Sequence, residues 1–72
     1  MTEKEFLKRL GDRISKKREA LSITKTELGV RVELSRMHIF RIEKGEQPTS
    51  IIALRRIAEE LEIDLSDLVK IK

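Results

Sequence analysis

The chain has 72 residues, 40% of them charged, with a formal net charge of +3 and no cysteine. That length holds one modest core and one domain, residues 1–72, and the missing cysteines exclude disulfides and thiolate metal sites. No apolar run approaches the roughly 20 residues that span a bilayer, and no signal-peptide pattern opens the chain, so a cytoplasmic protein without membrane association is expected.

With two Phe, no Trp and no Tyr, the core must be mostly Leu, Ile and Val, as an all-α bundle allows. Thr2 and Glu5 have the spacing of a capping box, which predicts a helix from about Glu3 to Ala20. Phe6, Leu7, Leu10, Ile14 and Leu21 mark its buried stripe. A Lys-rich amphipathic helix can also lie on a membrane surface, but the interspersed Glu3, Glu5, Asp12 and Glu19 weaken that reading.

Thr24 and Glu27 repeat the capping pattern and start a second helix at Lys25. Leu28 and Val32 share its buried face, and Gly29 leaves room for a second helix to approach. Leu34 closes a tight turn, and Ser35 caps a third helix that buries Ile39 and Ile42 and stops at Gly45. A loop over Glu46 to Thr49 contains Pro48. Ser50 then caps a helix from about Ile51 to Leu61, with Leu54, Ile57, Ala58 and Leu61 inward and Ile52 exposed. Asp64 and Asp67 bracket the start of a short last helix, Leu65 to Lys70, which buries Leu65 and Leu68. No repeat, linker, low-complexity segment or second domain is expected.

The third helix carries the chemistry. Opposite Ile39 and Ile42 its arc presents Met37, Phe40, Arg41 and Lys44, flanked by Arg36 and His38. A merely solvated face does not call for two large apolar groups among cations. Major-groove readout does: Arg forks onto guanine, apolar groups meet thymine methyls and Lys takes phosphate. Helix, tight turn and helix also have the spacing of a DNA-reading pair. Charge is polarised the same way. Residues 1–45 hold 12 Lys and Arg against 7 Asp and Glu, a balance of +5, while residues 46–72 hold 4 against 6, a balance of −2. A solvated mixed-charge surface explains the total of +3 equally well.

An enzyme is not expected. His38 is the only histidine, no Ser has a plausible base, and the glycines at 11, 29 and 45 are too scattered to cradle phosphate. Metal ligands and cofactor motifs are likewise missing.

The stretch KTELGVRVELSRMHIFRIEKG, residues 25–45, resembles the helix-turn-helix of the lambda-repressor-like (Cro/repressor, Xre-type) DNA-binding domains. LGDRISKKRE at 10–19, IFRIEKGEQP at 39–48 and LRRIAEELEIDLSDL at 54–68 extend the likeness over nearly the whole chain. The resemblance implies a five-helix bundle and a sequence-specific duplex DNA-binding transcriptional regulator, a repressor by preference. Base contacts then fall to Arg36, Met37, Phe40 and Arg41, and phosphate contacts to Lys25, Ser35, His38 and Lys44. It also implies that Arg18 pairs with Glu43, tying the first helix to the recognition helix; two unrelated surface charges are the alternative. Lys25 stands where the family usually has Gln, keeping a phosphate contact as a point charge. Glu33 stands where the family usually has Gly. Either it accepts a left-handed backbone at about 1 kcal/mol, or the turn is wound differently. Its carboxylate is expected to point away from DNA.

One recognition helix discriminates poorly, so a homodimer on a palindromic operator is expected. The last helix and its tail, with Val69 and Ile71, and exposed Ile52 are the candidate interface. The rival reading is a small helical protein-interaction module with Met37 and Phe40 anchoring a protein partner, or else the DNA-binding antitoxin of a toxin–antitoxin pair.

Overall fold

Four helices begin at a side-chain oxygen that takes up a backbone N–H. In α1 (Glu3–Ala20) and α2 (Lys25–Val32) the cap is reciprocal: the Thr2 and Thr24 hydroxyls accept from the N–H groups of Glu5 and Glu27, and the two carboxylates accept from the Thr2 and Thr24 N–H groups. The Thr24 backbone N–H, and then its hydroxyl, holds the Glu27 carboxyl below the usual glutamate range. Its contribution to α2 is therefore complete above the unfolded-state value and is lost as pH falls through the lowered folded one. Ser35 and Ser50 cap α3 (Arg36–Glu43) and α4 (Ile51–Glu60), accepting from the His38 and Ala53 N–H groups. α5 (Leu65–Leu68) is a single turn whose N-cap Asp64 makes no side-chain bond.

The computed structural model describes residues 1–71; the last residue of the expected domain, Lys72, lies outside the described residues. Among the described residues the regular structure is these five helices, an all-α bundle. α1 packs on α3 and α5, while α2 packs on α3 and α4, so α3 is held from two sides. Leu10 and Ile14 of α1, Leu28 and Val32 of α2, Ile39 and Ile42 of α3, and Ile57, Leu61 and Leu68 meet in one core.

Several expectations are corrected. Leu21 is exposed as the cap residue of α1, because Arg18 takes the inward position of the last turn. α4 ends at Glu60, with Leu61 buried as its cap. α5 stops at Leu68 and not Lys70, since the Ile71 N–H donates to the Val69 carbonyl (2.9 Å) and turns the chain out of the helix. Leu65 is only partly buried. Gly29 is pressed by the turn and not by a second helix: a Cβ there would lie 2.5 Å from the Leu34 carbonyl oxygen.

Gly11 is what lets α1 cross α3 so closely. A Cβ at this position would sit 2.5 Å from the Glu43 carbonyl oxygen and 2.8 Å from its carbon. In an open helix alanine is favoured over glycine by about 1 kcal/mol. Here the obstructing atoms are backbone and cannot step aside, so overpacking of about 1–3 kcal/mol wins. Gly11→Ala is therefore expected to lower the urea midpoint; a variant as stable as the parent, or more so, would mean that α1 and α3 are not in this contact.

Candidate nucleic-acid interface

The unit that presents α3 is α2, a turn and α3 itself. Glu33 caps α2 in the left-handed conformation (φ 60°, ψ 40°), so the chain takes the strained course at the position where glycine is usual in the resembling family. The Leu34 N–H donates to the Gly29 carbonyl at 2.8 Å and closes the turn. The Glu33 carboxylate reaches Arg56 of α4 at 2.6 Å, and Arg31 meets Glu60 at 3.7 Å. Both pairs are exposed, so each is worth at most about 1 kcal/mol. Both join the α2 end of the unit to α4, and the first turns the Glu33 carboxylate toward α4.

Arg18 and Glu43 lock α3 to α1. Arg18 Nε donates to Glu43 Oε2 at 2.7 Å and Nη2 to Oε1 at 3.1 Å, a two-pronged bond, while Nη1 donates to the Ile23 carbonyl at 2.8 Å. Both side chains are less than a tenth exposed. The hydrogen bonds to Glu43 hold Arg18 above its ordinary value, against the opposing effect of burial. Every buried polar side-chain atom described has a hydrogen-bond partner, which is the condition under which a buried charge pair is tolerated.

On the outward side of α3, Arg36, Met37 and Arg41 are exposed, Met37 by half of its surface. Phe40 is half-buried, and the Lys44 ammonium lies 5.6 Å from its ring centre, a cation–π contact. Ser35 is occupied with the cap. His38 is half-buried, its Nε2 3.2 Å from the Gln47 side-chain amide in the loop after α3. Lys25 stands at the start of α2 and shares a groove with Phe40 and Lys44. Lys25, Phe40 and Lys44 thus line one groove, and Arg36, Met37 and Arg41 stand exposed on the helix that carries Phe40. Ile52 stands at the start of α4, 63% exposed beside Ile51 at 64%. Val69 packs against the core and Ile71 lies in a groove along α1 with Arg9, Arg13 and Lys17.

Sequence reasoning missed Gly11, Gln47 and Lys8 of α1, which lines the same groove as Lys25 and Lys44. Their importance comes from contacts between distant segments, which no local spacing announces. Among the described residues no group of three His, Cys, Asp or Glu is arranged to hold a metal, and no helix is long and apolar enough to cross a membrane.

A family model described as helix-turn-helix matches residues 14–68. The chain belongs to the lambda-repressor-like, Xre-type helix-turn-helix family. As a member it is a DNA-binding transcriptional regulator. Two solved structures share the fold. The restriction-modification controller protein C.AhdI from Aeromonas hydrophila is 22% identical, with a TM-score of 0.87, over 94% of this chain and 99% of that one. The clp gene regulator ClgR from Corynebacterium glutamicum is 20% identical, with a TM-score of 0.86, over 89% of this chain and 68% of that one. At such identities the likeness is one of fold. None of the curated proteins matches the sequence.

The helix-turn-helix geometry makes a clear demand of its buried pair. Glu43→Ala strands the Arg18 guanidinium, which is expected to cost about 3–5 kcal/mol. For a small domain of about 5 kcal/mol total stability that comes close to unfolding. Thermal melting reads the loss, and an Ala variant with the parent's midpoint would contradict the burial of the pair.

Proposed function

We propose that this helix-turn-helix regulator is a sequence-specific repressor that inserts α3 into the major groove of duplex DNA and acts by occupying its site. The observation that carries this reading is the outer face of α3, where exposed Arg36, Met37 and Arg41 stand beside Phe40 on a helix held to α1 by a buried ion pair. Arg36 and Arg41 fork onto base edges, and Met37 with the open part of the Phe40 ring meets thymine methyls. Lys25, Lys44, Ser35 and His38 fix the register on the phosphates. A protein-interaction module has no need of Arg36, Arg41, Lys25 and Lys44 around its apolar anchors.

The regulator works in the cytoplasm as a homodimer on a palindromic operator, because one α3 reaches too few base edges to discriminate against a genome. Ile52 supplies the most exposed apolar surface of the candidate interface, and Val69 and Ile71 are each partly exposed. So small a patch makes a weak isologous contact that forms mainly on DNA.

Arg41→Ala is expected to relax specificity at one base position, losing about 1–3 kcal/mol of discrimination there. Lys25→Ala is expected to weaken every sequence alike and to flatten the salt dependence. Titrations in which Arg41→Ala lowers affinity uniformly, with specificity intact, would contradict the assignment of bases to α3. Mass measurement on the complex tests the dimer separately: two copies per palindromic duplex are expected. A single copy bound with full affinity to an isolated half-site would rule the dimer out.

A further inference from the structure

We infer that α1 takes part in DNA binding: Lys8, with Lys25 and Lys44, forms a clamp for the sugar–phosphate backbone beside the recognition helix. The inference rests on the DNA-reading role of α3 and adds to it a DNA contact from α1, which that reading uses only to hold α3 in place. Lys8, Lys25 and Lys44 come from three separate elements and line one groove of about 400 Å³, together with Ser15 and the Phe40 ring.

Two carboxylates also line this groove, and both are engaged. Asp12 holds Lys16 at 3.1 Å, and Glu43 is bound by Arg18 on its two oxygens. Neither Lys8 nor Lys25 has a carboxylate partner among the described residues, and Lys44 meets only the face of Phe40. The groove therefore concentrates positive charge that the protein itself leaves uncompensated, and it is open to solvent. A phosphodiester strand carries the regularly spaced negative charge such a groove accepts.

The placement of Lys8 is not incidental. Gly45, at φ +73°, lies so close to α1 that a Cβ on it would meet the Lys8 Cα at 2.6 Å and the Lys8 nitrogen at 2.8 Å. The end of the recognition helix is thus seated directly on the backbone of Lys8, and Lys44 is its immediate neighbour in sequence. Any DNA strand that runs past Lys44 passes the Lys8 side chain as well. The backbone here carries position and affinity without base information.

The test compares Lys8→Ala, Lys25→Ala, Lys44→Ala and Arg55→Ala in the full chain. Arg55 is an exposed cation of α4 paired with Glu59, outside the groove. Binding is titrated against a random-sequence duplex, and against the tightest duplex selected from a random pool, across a range of salt. Lys8→Ala should melt like the parent, lower affinity for both duplexes by the same factor, and reduce the slope of log K against log salt by about 0.9 for each phosphate that the variant no longer neutralises. Lys8→Arg should restore the slope, and Arg55→Ala should leave it unchanged. A Lys8→Ala variant with the parent's affinity and slope, while Lys25→Ala and Lys44→Ala lose theirs, would overturn the clamp and leave the α3 reading intact. Weaker binding to the selected duplex alone would make Lys8 a base reader and overturn the clamp too. If none of the three lysines affects the slope, the clamp is overturned as well, while Arg41→Ala on the selected duplex tests the DNA-reading role of α3 separately.

Discussion

The orientation of α3 depends on a guanidinium and a carboxylate buried together. Taking two charges out of water costs several kcal/mol each, and only good geometry with further hydrogen bonds repays it. Arg18 and Glu43 meet that condition with two bonds to each other and a third from Arg18 to the Ile23 carbonyl. That third bond matters to the arrangement, because Ile23 lies just before α2. One side chain of α1 therefore reaches the end of α3 and the approach to α2, the two helices of the reading unit. An apolar replacement would fill the volume without fixing the angle between them.

Around this pair the fold places conformational strain where it sharpens the turn. Glu33 adopts a left-handed backbone, at about 1 kcal/mol, and its carboxylate bonds to Arg56 instead of facing the outer side of α3. Glycine would relieve the strain but would remove a carboxylate that draws Arg56 to the turn. The same handling of charge shows along the groove below α3, where Asp12 and Glu43 are each held by a cation of the protein. Lys8 and Lys25, which line the same groove, have no carboxylate partner among the described residues.

Much of this is legible in the sequence because its causes are local. Thr2 with Glu5, Thr24 with Glu27, Ser35 and Ser50 each satisfy an N–H three residues on, so four helix starts follow from spacing alone. The outward position of Arg36, Met37 and Arg41 follows from the period of Ile39 and Ile42 in the same way. Pairing of Arg18 with Glu43 follows only from family resemblance, as 25 residues separate them. What stays hidden depends on segments meeting in space: Gly11 under the Glu43 carbonyl, Lys8 under Gly45, and Gln47 folded back to His38. Leu21 misleads because it fits the stripe of α1, yet that helix ends before Leu21 can turn inward.

The central claim is that α3 reads base sequence in duplex DNA, and selection from a pool of random duplexes tests it most directly. The account predicts enrichment of a palindrome whose half-sites lie about 34 Å apart, one turn of the double helix. Binding to the enriched duplex should fall steeply as salt is raised. A pool that emerges with no preferred sequence, or binding that ignores salt, would contradict it.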